Sequence, residues 1–275
     1  MSRVDWAGQT TLVTGASAGI GAEFARQLAT RGSDLVLVAR RADRLTALAA
    51  ELTAASGVRV DVVPLDLARP AAGRALAAEV DRRGIAVTSV VNCAGFGTHG
   101  PVHAEDADRL AEMIAVDVTA LVDVSRAFVD RLRAGTGVLV NVASMAAYLP
   151  APDMAVYAAA KAFVLSFTEA LWAESRDSGL RVLALSPGAT DTEFFDVVGN
   201  DAADGGRPRQ SPQEVVATAF RALDRRDPPP SVAVGRANRA SVRAVRLLTR
   251  RRAVLLMAAI TGRAAEDGVA RRAAA

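Results

Sequence analysis

Tyr157 and Lys161 are the residues of this chain whose types and spacing most plainly permit chemistry. They stand four apart, Lys161 is the only lysine among 33 Lys and Arg residues, and Tyr157 is one of two tyrosines. On a helix an i, i+4 spacing puts phenol and ammonium on one face, a turn apart. A free phenol titrates at about 10, and bringing it to about 7 takes roughly 4 kcal/mol of preferential phenolate stabilisation. A unit positive charge at about 4 Å supplies on the order of 4 kcal/mol at an effective dielectric near 20. The pair is therefore expected to form an acid–base catalyst with a lowered tyrosine pKa. Every other cation is Arg, so the single Lys suggests a place where a guanidinium does not serve. A solvated lysine on an exposed helix face is the competing reading.

Such a pair needs a scaffold, and the chain supplies one by alternation. Short Val/Leu-rich runs alternate with longer Ala/Leu/Arg segments to about residue 235. The candidate strands are Thr10–Thr14, Asp34–Ala39, Val58–Leu65, Ser89–Asn92, Gly137–Val142, Arg181–Ser186 and Ser231–Val234, with segments of helical period between them. Repeated strand–helix alternation predicts an α/β fold: a single-domain, Rossmann-like, doubly wound parallel sheet of about seven strands with helices on both faces. Ligands are then expected at the carboxyl ends of the strands. Residues 1–235 are read as the dinucleotide-binding and catalytic domain and residues 236–275 as a C-terminal basic and apolar helical extension. Gly199–Ser211, rich in Gly, Asp and Arg and following Phe194 and Phe195, reads as a mobile lid.

The first strand runs into Thr14-Gly15-Ala16-Ser17-Ala18-Gly19-Ile20-Gly21, with a helical pattern from Ala22 to Arg31. Glycines there let the backbone turn sharply and approach a pyrophosphate resting on a helix N-terminus. The second strand ends Ala39-Arg40-Arg41, without the acid that binds a ribose 2′-hydroxyl. Two arginines instead offer forked donors suited to a 2′-phosphate, so the expected cofactor is NADP(H). Arginines merely capping a surface turn are the alternative.

Further motifs fall in the same order along the chain: Asp66 after strand three, Asn92-Cys93-Ala94-Gly95 after strand four, Ser144 after strand five, Tyr157-Ala158-Ala159-Ala160-Lys161, and Pro187-Gly188 after strand six. Taken together, from residue 8 to about 235, the chain resembles a classical short-chain dehydrogenase/reductase. The resemblance implies that Asp66 and Leu67 flank the adenine and that Asn92, Ala94 and Gly95 border the nicotinamide ribose. By the same resemblance Pro187, Gly188 and Thr192 hold the nicotinamide end, and Gly15, Ser17, Gly19, Ile20 and Gly21 form the phosphate turn. It also implies hydride transfer between the nicotinamide and a carbonyl carbon, with Ser144 and Tyr157 meeting the developing oxyanion and Tyr157 as general acid or base. Lys161 then lowers the tyrosine pKa and binds the nicotinamide ribose. Homodimers or homotetramers are the implied assembly, and the apolar residues Phe163, Phe167, Leu171 and Trp172 after Tyr157 agree with self-association.

Two positions depart from the family pattern. Cys93 replaces an Asn and is expected to be a small structural hydrophobe. Asp117, in Met113-Ile114-Ala115-Val116-Asp117, stands where the family commonly has an Asn in a water-mediated proton relay to the lysine. The carboxylate changes both charge and donor capacity, so Asp117 joins Ser144, Tyr157 and Lys161 in the candidate catalytic set.

Composition narrows the rest. One cysteine leaves no intrachain disulfide and no zinc site, and His99 and His103 read as loop residues rather than metal ligands. A net charge of +3 gives no sign of nucleic-acid binding. No apolar leader stretch follows the N-terminus, so a cytoplasmic place is expected. Met145, Ala147, Tyr148, Leu149, Pro150 and Met154, with Phe194 and Phe195, suggest an apolar wall suited to hydrophobic ketones or acyl groups. The expected activity is an NADP(H)-dependent oxidoreductase acting on a ketone, aldehyde or secondary alcohol. A catalytically impaired dinucleotide-binding regulator is one alternative. A membrane- or partner-binding protein is another, because Arg236, Arg239, Arg243, Arg246 and Arg250 recur at helical spacing, and Arg251 and Arg252 precede an apolar run. That run, Ala253–Ile260, is too short to span a bilayer, so any membrane contact would be peripheral.

Overall fold

The structure is a computed structural model that describes residues 3–199 and 208–260. In chain order the core elements are β1 (Thr10–Thr14), α1 (Gly19–Thr30), β2 (Asp34–Ala39), α2 (Ala42–Ser56), β3 (Val60–Pro64), α3 (Ala72–Arg82) and β4 (Ser89–Asn92). There follow α4 (Ala107–Ile114), a π-helical turn (Ala115–Ala120), α5 (Leu121–Arg133), β5 (Val138–Val142), α6 (Ala155–Glu174), β6 (Arg181–Ser186), α7 (Phe194–Val198), α8 (Pro212–Leu223) and β7 (Ser231–Ala233). The C-terminal part holds α9 (Arg236–Val245) and a further helix, α10, over residues 250–260.

The seven strands form one sheet in the order β3-β2-β1-β4-β5-β6-β7, parallel throughout. Every residue of β1, β4, β5 and β6 is buried, as strands covered on both faces require. One face packs Phe24, Leu28, Leu45, Val215 and Phe220 against the sheet, and the other packs Leu76, Val80, Val124, Phe128 and Leu132. The strand order reverses direction between β1 and β4. The loops leaving their carboxyl ends diverge there and open a crevice.

The expected strands are present, with the third starting at Val60 rather than Val58 and the seventh ending at Ala233. α1 starts at Gly19, three residues before the apolar period begins, because the glycine turn itself supplies its first turn. The C-terminal segment does not form the single basic helix that its arginine spacing suggests. It breaks after Val245, and Thr249 restarts it: its carbonyl accepts from the Ala253 N–H at 3.0 Å and its hydroxyl from the Arg252 N–H at 3.4 Å. Of the expected lid, residues 200–207 lie outside the described residues, as do residues 261–275 of the extension.

Candidate active site

A cleft of about 940 Å³ lies over the carboxyl ends of the strands, its floor at the β1/β4 divide. Its lining includes Gly15, Ser17, Gly19, Ile20, Gly21, Arg40, Arg41, Asp66, Leu67, Ala94, Gly95, Ser144, Tyr157, Lys161, Pro187, Gly188 and Thr192. These residues are spread over most of the chain. The fold brings them together because each follows a strand of the same parallel sheet.

Two of the expected residues do not line it. The Asn92 side chain turns into the sheet, donating to Asn141 Oδ1 at 3.0 Å and to Ser125 Oγ at 3.1 Å. Asn141 in turn donates to Thr168 Oγ1 on α6 at 3.0 Å. In this geometry Asn92 belongs to a buried polar ladder that ties β4, β5 and α6 together. Asp117 is also absent from the lining, being wholly buried, and it acts on the site from behind.

That placement comes from the π-helical turn. Inserting a wider turn between α4 and α5 points the Asp117 carboxylate at the loop after β4. Its Oδ1 accepts the Phe96 N–H at 3.0 Å, and its Oδ2 lies 3.0 Å from Lys161 Nζ. The two form a buried ion pair. Lys161 also donates to the Val142 carbonyl at 3.3 Å. The carboxylate thus meets the ammonium directly, at the place where the family pattern has an amide and a water.

Ser144 follows β5 and caps a short 3-10 turn, Met145–Tyr148, its Oγ accepting from the Ala146 N–H at 3.1 Å. Its hydroxyl also favours the Tyr157 phenolate. Phe194, at the start of α7, lies on the tyrosine ring with centroids 5.4 Å apart. α6 carries Tyr157 and Lys161 close to the sheet because Ala158 and Ala160 beside them are small and buried.

The electrostatics of the set differ from the expectation built on Lys161 alone. Burial pushes the Tyr157 pKa up; Lys161 pulls it down, Asp117 raises it and Ser144 lowers it, and the net direction is upward. The lysine's field alone lowers the phenol, but desolvation of the phenol and the carboxylate behind the lysine oppose it. For Lys161, burial acts downward but Asp117 and Tyr157 outweigh it, so the ammonium form is favoured. Burial raises the Asp117 carboxyl against the opposing pull of Lys161 and the Phe96 N–H. Cys93, partly covered at the cleft wall, has its thiol pushed up to about 12 by desolvation and stays neutral.

The residues fit a dinucleotide. Gly21 could carry no side chain, since a Cβ there would lie 2.3 Å from the Gly15 carbonyl, and Gly19 has φ +54° with its bare α-carbon facing Thr192. No side chain caps α1, which leaves its first N–H groups open toward the cleft, as a pyrophosphate site needs. Arg41 donates to Ser17 Oγ at 2.9 Å and to Glu193 Oε2 at 2.8 Å, Arg44 also pairs with Glu193, and Arg40 meets Glu112 at 3.1 Å. No group of three or more His, Cys, Asp or Glu residues is placed for a metal ion among the described residues.

Some site residues were missed in the sequence. Gln210, near the end of the segment expected to form a lid, accepts the Gly188 N–H at 3.0 Å. Asn238, Ser241, Val242 and Val245 of α9, and Met257 and Ile260 of α10, form one wall of the cleft. Their i, i+3 and i, i+4 recurrence was visible in the sequence but was obscured by the stronger arginine period. Of the expected apolar wall, Met145, Tyr148, Leu149, Met154, Phe194 and Phe195 line the cleft, whereas Ala147 and Pro150 do not.

Fold and site together define a nicotinamide-dependent oxidoreductase of Rossmann type. The sequence matches the short chain dehydrogenase family over residues 9–203, and the chain belongs to the short-chain dehydrogenase/reductase family. It is 38% identical over 188 residues to sulfoacetaldehyde reductase 2 of Chromohalobacter salexigens, covering 66% of this chain and 73% of that enzyme. Among solved structures it resembles a short-chain dehydrogenase from Sphingobium yanoikuyae in complex with NADPH (TM-score 0.76, 34% identity, 86% of this chain and 93% of that one). It also resembles a Burkholderia phymatum family member in complex with NAD (TM-score 0.77, 27% identity, 87% and 93%).

Proposed function

We propose that the protein is an NADP(H)-dependent reductase or dehydrogenase interconverting a hydrophobic ketone or aldehyde and its alcohol. The observation that carries this reading is the convergence of Ser144, Tyr157 and Lys161 at the foot of a cleft whose far end holds Arg40 and Arg41 and whose wall is apolar. The glycine turn, Asp66, Leu67, Ala94, Gly95, Pro187, Gly188 and Thr192 would hold the dinucleotide, which when bound supplies or accepts a hydride at the substrate carbon. Ser144 donates a hydrogen bond to the substrate oxygen. Tyr157 delivers its hydroxyl proton to that oxygen in reduction and takes it back in oxidation. Lys161 keeps the tyrosine field positive, and Asp117 keeps Lys161 charged and in place. The raised tyrosine pKa supplies a protonated acid at neutral pH, which favours reduction. A screen of NADPH oxidation across carbonyl compounds of increasing apolar length tests the reading, and activity rising with apolar length is the expected result. No turnover with any carbonyl, together with tight dinucleotide binding, would favour the regulatory alternative. The same reading places the enzyme in the cytoplasm as a homodimer or homotetramer, with exposed Phe163 stacked on Phe167 along α6 as the apolar contact face.

The arginines set the cofactor choice. Each charge-assisted phosphate contact contributes roughly 1.5–3 kcal/mol, so NADPH is expected to bind about tenfold to a hundredfold tighter than NADH. The double change Ala39→Asp and Arg40→Gln reverses the ratio. Equal affinities of the parent protein for the two cofactors would overturn the assignment.

Lys161→Arg tests why this chain keeps one lysine. The head group sits between Asp117 and the Val142 carbonyl, where a longer planar guanidinium displaces its charge from the tyrosine. Turnover is expected to fall roughly a hundredfold, the scale of about 1 Å of misplacement. Normal turnover in this variant would show that any cation serves there.

A further inference from the structure

α9 and α10 each have two faces, and only the inner one is used by the cleft. Asn238, Val242 and Val245, with Met257 and Ile260, point inward. The outer face exposes Leu247 (87%), Leu248 (36%), Val254 (38%), Leu255 (57%) and Leu256 (45%) to solvent. Leu247 and Leu248 form the tip of the turn between the helices, and the other three continue along α10. Isolated exposed leucines are ordinary, but here five large aliphatic side chains are exposed within the ten residues 247–256.

Charge accompanies that patch. Residues 236–260 contain seven arginines and neither Asp nor Glu, and all seven arginines are exposed. Their charge exceeds the +3 of the whole chain, so the remainder is net negative and the positive charge is concentrated at this corner. Elsewhere on the surface arginines pair with carboxylates, for example Arg26 with Glu51 and Arg131 with Asp81, but no salt bridge among the described residues engages any of these seven.

We propose that the outer face of α9 and α10 docks this protein on an anionic lipid bilayer, the leucines and valine entering the headgroup boundary and the arginines meeting the lipid phosphates. An amphipathic element of this kind lies in the interface plane, and no described helix is long and apolar enough to cross a membrane. A second copy using the same face would set its arginines against their like, which disfavours a symmetric pair. A nucleic acid would use the arginines but leave the leucines exposed. Because the inner face of the same helices walls the cleft, docking also sets the cleft mouth near the bilayer, where a lipid-borne carbonyl compound can enter without crossing water. This last step rests on the function proposed above; docking itself does not.

The test is co-sedimentation of the full chain with vesicles of phosphatidylcholine alone and of phosphatidylcholine with phosphatidylglycerol. Binding to the anionic vesicles only, weakening as salt is raised from about 0.1 to 1 M and the Debye length falls from about 10 to 3 Å, is the expected result. Neutralising one arginine should weaken binding about fivefold, and Arg246→Gln, Arg250→Gln and Arg251→Gln together roughly a hundredfold. Leu247→Ser with Leu255→Ser and Leu256→Ser should weaken it by about tenfold or more with charge unchanged. None of these six residues lines the cleft, so dinucleotide affinity and thermal unfolding should match the parent and confirm the fold. If a variant does not fold, the lipid and salt dependence of the parent protein decide alone. Equal binding to neutral vesicles, no binding to either, or unimpaired binding of the leucine variant would overturn the proposal. So would concentration-dependent self-association abolished by the leucine changes without vesicle binding, which would assign the face to a second copy. Vesicle binding is read without turnover, so an inactive protein that docks separates failure of the catalytic reading from failure of this one.

Discussion

Tyr157→Phe is expected to lower turnover by about 10²–10⁴-fold, the range that a positioned general acid contributes, while dinucleotide affinity changes little. Only the hydroxyl is lost: the ring keeps its contact with Phe194 at 5.4 Å and its place on α6, so the fold and the cleft wall are retained. The pH dependence should change with it. The Tyr157 pKa is raised, chiefly by burial, so in the parent protein carbonyl reduction should persist well into the alkaline range and alcohol oxidation should climb as pH rises toward that pKa. Both limbs should vanish in the phenylalanine variant. Steady-state rates across pH, set beside a fluorescence titration of NADPH, make the comparison. Residual activity within about tenfold of the parent would show that another group moves the proton.

Asp117→Asn should affect stability and pH profile together. Both oxygens of Asp117 face donors, the Phe96 N–H and the Lys161 ammonium, each at 3.0 Å. An amide offers one acceptor and turns its NH2 toward the other donor, so the pair must open. Removing one partner of a buried ion pair costs about 3–5 kcal/mol, which for a chain of this size corresponds to a Tm lower by roughly 5–15 °C. The sign at the tyrosine follows from charge. Asp117 raises the Tyr157 pKa, so with the carboxylate gone and Lys161 still protonated that pKa falls. Alcohol oxidation should then reach its plateau at lower pH, and reduction should lose its alkaline reach. Lys161 also loses the partner that raises its own pKa, so the window of the shifted profile narrows from the alkaline side. Unchanged profiles, with or without a loss of Tm, would mean that the field of Asp117 does not reach the phenol.

The fold was largely legible because its signals are local. Apolar runs bounded by turn residues mark buried parallel strands wherever they occur, and six of the seven expected strands, including Thr10–Thr14 and Arg181–Ser186, agree with the structure to within a residue at each end. The glycine turn, the arginines after β2 and the Tyr157–Lys161 spacing are likewise short-range patterns, and a parallel sheet necessarily delivers whatever follows its strands to one edge.

What only the tertiary structure decided depends on residues distant in sequence. Asn92 ends a strand beside the site, but its amide pairs with Asn141 and Ser125, whose positions no local pattern around residue 92 reveals. The Asp117 ion pair needs the wider turn between α4 and α5 as well as the approach of α6, so the sequence showed a departure without its direction. The arginine period after Gly235 marks helical, basic chain, yet the break at residues 246–249 and the inner face that closes the cleft depend on packing against the rest of the fold. The tyrosine pKa shows the same division. Its neighbouring charge was readable from spacing, whereas its burial is a property of the assembled site, and burial sets the sign. The sequence alone thus determined which groups exist and which strand edge they reach. Packing determined which of them touch, because desolvation and pairing act through space rather than along the chain.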